Sequence, residues 1–274
     1  MVSLGAVFSI GMVLLAGTAP VERASDLAYL SDGETKHQLD VYLPVRRDGA
    51  TLVVFVHGGA FMSGDRRDYA AVGRALAERG YAVAIPSYRL YPHADAQDAV
   101  RDVAAAIAWL ARHSERFGYD AKRVVLAGHS AGGQIVAMLA THKRYLQRAG
   151  APAGIVRGAF ALAGAYDVRD LTDEPAAWQR IDDRIFGATE AARGRISPAI
   201  DVDRDAPPIV AVCGTHDDPG ACARARHFAR VLKARGLDGS ALEIDTDHGG
   251  LLRRFIQPGD ALAEAFRAFI ERTR

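Results

Sequence analysis

Little in this 274-residue chain points to a charged partner, a metal or a redox framework. Lys and Arg total 34 against 33 Asp and Glu, a formal net charge of +1, so no excess of one sign steers it toward a polyanion. No nucleic-acid partner is expected on that ground. The two cysteines, Cys213 and Cys222, are too few for a disulfide framework and have no metal-ligand spacing with neighbouring histidines. They read as inert thiols, with a bridge across the loop between them left open if the protein is exported. The glycine-rich stretch at 128–133 has neither the Lys-Ser/Thr of a phosphate-binding loop nor the spacing of a dinucleotide fingerprint, so no cofactor and no metal are expected.

Long hydrophobic runs are also lacking. The apolar stretch from Leu4 to Leu15 is too short, and too interrupted by Gly and Ser, for a membrane span, and no stable span is expected in a mature protein. Followed by Ala16-Gly17-Thr18-Ala19, it has the look of a secretory signal, although no Lys or Arg precedes it and Pro20 follows the best small-residue site. Thr18 stands where a bacterial lipoprotein signal would carry its lipidated cysteine, which excludes lipid attachment there. Residues 1–25 therefore read either as a leader of an exported, periplasmic protein or as the frayed or surface-packed N-terminus of a cytoplasmic one.

What is present is ordinary globular material: 49% hydrophobic and 24% charged residues, enough chain for one large core at 26–274. Gln38–Leu43 alternates, with Leu39, Val41 and Leu43 on one side, and suits an edge strand ended by Pro44. Continuous apolar runs follow at Thr51–Val56, Tyr81–Pro86, Val124–Gly128, Ile155–Ala163 and Pro208–Cys213, with a weaker one at Ala241–Ile244. Such runs suit strands covered on both faces. Helical patterns lie between and after them at Arg67–Arg79, Asp95–Phe117, Ala221–Arg235 and Asp260–Arg272. This alternation implies a mostly parallel sheet with helices on both faces and ligands at the carboxyl ends of the strands. The irregular stretch Tyr166–Asp205 reads as a small cap or wall of the pocket.

One pentapeptide stands out. Gly128-His129-Ser130-Ala131-Gly132 follows the run Val124–Ala127 and precedes a good helix former, so a strained strand-to-helix turn can push the Ser130 hydroxyl out of the sheet. A serine hydroxyl needs a base, an orienting group and oxyanion donors. His248, flanked by Gly249 and Gly250 after the last strand, suits the base; Asp217, after the strand ending at Cys213, suits the acid, with Asp218 and Asp167 as alternatives. Glycines of His57-Gly58-Gly59 let backbone N–H groups of Gly59 and Ala60, with that of Ala131, face an oxyanion. His57 itself reads as a brace for that loop. Ser130 as a simple helix N-cap is the plain alternative.

Four stretches together resemble the α/β-hydrolases of the esterase and lipase branch that carries an HGG oxyanion motif, close to hormone-sensitive-lipase-like and arylformamidase-like carboxylesterases: His57–Phe61, Tyr88-Arg89-Leu90-Tyr91-Pro92, Gly128–Gly133, and Gly214-x-x-Asp217 with His248. The resemblance covers nearly the whole chain after the leader and implies a central sheet of about eight strands. It departs at Ala60, where many relatives have a further glycine, and at Tyr91-Pro92-His93, where lipase-like relatives have Ala-Pro-Glu. The short region before the first strand implies no large N-terminal cap and a rather open pocket, for which Phe61, Tyr166, Trp178 and Phe186 are candidate lining residues. The expected activity is hydrolysis of small or aryl esters, a small-molecule substrate class, through an acyl-enzyme. The alternatives are an arylformamidase or amidase acting on N-formylkynurenine-type substrates, and a non-catalytic binding member of the fold.

Overall fold

Apolar runs along the central strands decide the architecture, because a strand sends neighbouring side chains to opposite faces and a continuous run therefore needs a core on each. The computed structural model describes residues 21–170 and 176–273, apart from the side chains of 170 and 176–179. Eight strands form one sheet: β1 (Glu22–Ala28), β2 (Gln38–Leu43), β3 (Ala50–Val56), β4 (Ala82–Pro86), β5 (Tyr119–His129), β6 (Val156–Leu162), β7 (Ile209–Gly214) and β8 (Gly239–Ile244). Their spatial order is β1-β2-β4-β3-β5-β6-β7-β8. The first two pairings, β1 with β2 and β2 with β4, are antiparallel, and every other pairing is parallel.

Among the described residues, the α-helices between and after the strands are α1 (Ala70–Glu78), α2 (Ala96–Arg112), α3 (Ser114–Phe117), α4 (Ala131–Thr141), α5 (Arg144–Arg148), α6 (Ala176–Phe186), α7 (Glu190–Gly194), α8 (Ala221–Ala234), α9 (His248–Ile256) and α10 (Ala261–Arg272). Leu52, Val54 and Val56 of β3 face a core shared with α2, α4 and α8. Val53 and Phe55 of the same strand face a second core built with α1, α9 and α10. Burial on both faces is the reason these strands read as continuous apolar runs.

Three expectations need correction. Gln38–Leu43 is not an edge strand, since β1 pairs outside it; β1 begins at Glu22, inside the stretch read as leader, and its sequence ERASDLA is too polar and too exposed to show apolar alternation. The remainder of that leader, up to residue 20, lies outside the described residues. The long pattern at Asp95–Phe117 is two helices, α2 and α3, divided at His113 and ended by Gly118 in the left-handed region. Cys213 and Cys222 are not inert thiols but a disulfide, because the chain reverses between the end of β7 and the first turn of α8 and brings their Cα atoms to 5.2 Å.

Candidate active site

The turn from β5 into α4 holds Ser130 at φ 58°, ψ −120°, a strained conformation for a residue with a side chain. Close packing imposes it. A Cβ at Gly128 would lie 2.4 Å from the Gly132 carbonyl oxygen, one at Gly132 2.1 Å from that of Val56, and one at Gly133 2.6 Å from that of Leu162. The Ser130 N–H donates to the Leu162 carbonyl at 2.8 Å, tying the turn to β6. The Ser130 side chain caps nothing, so the plain N-cap reading is ruled out.

His248 opens α9 just after β8, where Asp247 caps the helix through the Gly250 N–H. Its Nδ1 lies 2.8 Å from Asp217 Oδ2 and 3.1 Å from Oδ1. Asp217 sits in the loop after β7, which is pinned to the neighbouring loop by the N–H groups of Thr215 and His216 donating to the carbonyls of Ile244 and Thr246. Gly214 lets the two loops touch, since a Cβ there would lie 2.4 Å from the Thr246 oxygen. The disulfide brackets the same loop.

The other two acids are engaged elsewhere. Asp218 is exposed and paired with Arg224. Asp167 is buried, which raises its pKa, but two bonds from the Arg169 guanidinium, one from the Arg169 backbone N–H and one from Ser197 outweigh that and hold the carboxyl below its usual range. Of the three candidates, Asp217 is the carboxylate that meets the imidazole. No direct hydrogen bond joins Ser130 Oγ to His248 among the described residues; such contacts commonly tighten only with substrate.

The loop after β3 bends through three residues at positive φ, Gly59 at 123°, Ala60 at 52° and Phe61 at 60°. Glycine is required at the first, where a Cβ would lie 2.1 Å from the Ser63 oxygen. His57 braces this bend: it is buried, its Nδ1–H donates to the Gly58 carbonyl at 2.8 Å, and its ring stacks on Tyr88 at 4.2 Å. Burial lowers its pKa to about 4, so the ring is neutral near neutral pH. Among the described residues, no hydrogen bond engages the N–H groups of Gly59, Ala60 or Ala131.

A cavity of about 340 Å³ opens beside Ser130, lined by Ala60, Phe61, Met62, Ala131, Gln134, Ala163, Ala165, Asp182, Ile185 and Phe186. Phe61 and Phe186 meet edge to face at 5.6 Å, so these two candidates do line it. Tyr166 does not. It is buried in the core, stacked on Phe228 at 4.6 Å with its hydroxyl donating to the Ala161 carbonyl. The side chain of Trp178 lies outside the described residues. Sequence reasoning missed Gln134, on the first turn of α4 behind the serine, and the short residues Ala163 and Ala165 just beyond β6. Position after a core strand is the signal that could have found the alanines. Among the described residues no cluster of three or more His, Cys, Asp or Glu is placed to hold a metal, and no helix is long and apolar enough to cross a membrane.

The BD-FAE family model matches residues 39–232, most of the chain and every element of the site except His248. The chain belongs to the BD-FAE family. Among relatives, it is 34% identical over 146 residues to the probable isoprenylcysteine alpha-carbonyl methylesterase of Oryza sativa subsp. japonica, covering 51% of this chain and 34% of that protein. It is 32% identical over 203 residues to Esterase LipC of Mycobacterium tuberculosis, covering 68% and 49%. It is 26% identical to the kynurenine formamidase of Drosophila melanogaster, covering 77% and 70%. This BD-FAE member spans about a third to a half of the first two relatives' length. The structure of a tributyrin phosphonate-inhibited esterase B from Lactobacillus rhamnosis superposes with a TM-score of 0.76 at 21% identity, covering 92% of this chain and 86% of that one. The fold is that of the α/β-hydrolases.

Proposed function

We propose that this BD-FAE member is a serine carboxylic-ester hydrolase for small or aryl esters. The observation that carries the reading is the His248–Asp217 hydrogen bond on loops beside the strained Ser130 turn. In this reading His248 Nε2 takes the Ser130 proton as Oγ attacks the ester carbonyl, while Asp217 fixes the tautomer and stabilises the imidazolium. The N–H groups of Gly59, Ala60 and Ala131 receive the tetrahedral oxyanion, each worth about 3 kcal/mol in the transition state. His248 returns the proton to the departing alcohol, then deprotonates the water that cleaves the acyl-enzyme. The cavity of about 340 Å³ lies at the small end for ligand sites, which favours a compact acyl or aryl group. Asp182, Ile185 and Phe186, from within the 166–205 stretch, act as part of its wall.

Ser130→Ala tests the reading: turnover of p-nitrophenyl acetate should fall by a factor on the order of 10⁶. Retention of most of that turnover would sink it. A second reading, hydrolysis of an N-formyl arylamine by the same groups, is supported by the likeness to the kynurenine formamidase. A large kcat/KM preference for N-formylkynurenine over short esters would make it the first.

A further inference from the structure

His129 sits between the two arms of the site without being part of the proposed proton relay. Its Nε2 lies 2.9 Å from the backbone carbonyl oxygen of His248, an atom that only accepts, so Nε2 carries the proton and donates it. The two imidazoles are 4.7 Å apart, centre to centre. On the other side, a Cβ added to Gly58 would lie 3.3 Å from His129 Nδ1 and 2.9 Å from its carbonyl oxygen, so the residue abuts the loop that carries Gly59 and Ala60. Burial, foremost, and the nearby His248 lower its pKa, against the opposing pull of Asp217 and of the bond to the His248 carbonyl. The ring that touches His248 is therefore neutral near neutral pH.

The neighbouring residues give this bond its importance. Asp245, Asp247 and Gly249 are exposed, so one side of the turn that carries the base faces solvent, while Ile244 and Thr246 hold its other side to the loop after β7. Asp217 orients the ring but comes from another loop, and Ser130 Oγ makes no hydrogen bond to it among the described residues. The His129 bond joins the residue next to the nucleophile to the backbone of the base itself.

We propose that His129 is a positioning residue that sets the spacing of His248 from Ser130 through its Nε2–H bond to the His248 carbonyl. The proposal rests on the serine-esterase reading. A donor at that reach can be supplied by glutamine but not by the shorter asparagine or by leucine, and a neutral donor puts no charge against the imidazolium formed in catalysis. The test compares wild type, His129→Leu, His129→Asn and His129→Gln on p-nitrophenyl acetate, with kcat and KM read separately and thermal melting followed in parallel. Leu and Asn should lower kcat about 10- to 100-fold with KM unchanged, the scale of a misplaced catalytic group. Gln should restore most of the loss. If the Leu variant does not fold, the Gln and Asn pair decides. Wild-type kcat in Leu or Asn, or a Gln variant no better than Asn, overturns the proposal while the esterase reading stands. A wild-type protein that neither hydrolyses the ester nor reacts with a fluorophosphonate overturns both.

Discussion

His248 Nδ1 meets Asp217 Oδ2 at 2.8 Å, with the carboxylate almost wholly buried and the ring close to half exposed. The buried partner fixes the exposed one, which leaves the Nε2 edge free to approach a nucleophile from the solvent side.

Asp217→Asn should therefore act on turnover rather than binding. Loss of the correct tautomer predicts a fall in kcat of about 10⁴-fold, with KM little changed, in steady-state kinetics on p-nitrophenyl acetate. Asp218→Asn, which removes only an exposed pair with Arg224, should leave both constants at the wild-type level.

The turn from β5 into α4 predicts a stability effect. A methyl group at Gly132 would fall 2.1 Å from the Val56 oxygen, a backbone atom in the central sheet that cannot swing aside. Gly132→Ala should lose about 3 kcal/mol, the upper end for overpacking, seen as a reduced urea midpoint.

The fold was legible where burial is two-sided. Runs such as Thr51–Val56 and Val124–Gly128 are apolar because both faces are covered, and strands with loops after them located Ser130, Asp217 and His248 in order. β1 was not legible, since Arg23, Ser25 and Asp26 face solvent and its role comes from pairing with β2. Tyr166 misled because an aromatic in a loop after a strand looks the same whether it lines a pocket or, as here, packs on Phe228. Nor does spacing alone show that Cys213 and Cys222 meet; that depends on the chain reversing into α8.

Acid should weaken the fold before carboxylates titrate. Burial lowers the pKa of both His57 and His142 to about 4 from 6.5, so the unfolded chain binds more protons than the native one between these values. Stability is then full above about pH 6.5 and lost as pH falls toward 4, by about 3 kcal/mol per histidine. Urea unfolding across this window should show the decline, and His142→Gln should make it shallower.

The disulfide closes a loop of nine-residue separation around Asp217. Replacing Cys213 and Cys222 together by alanine should cost roughly 2.5 kcal/mol of stability by the chain-entropy relation, measured by urea unfolding. Loosening of the acid's loop should also lower kcat in the folded variant.

An activated Ser130 hydroxyl should react covalently with a fluorophosphonate, which peptide mapping of the labelled protein reads out. One label per chain, confined to Ser130 and lost in both Ser130→Ala and His248→Ala, is the predicted result. A wild-type chain that stays unlabelled, or one labelled at another residue while Ser130→Ala still turns over ester, would contradict it.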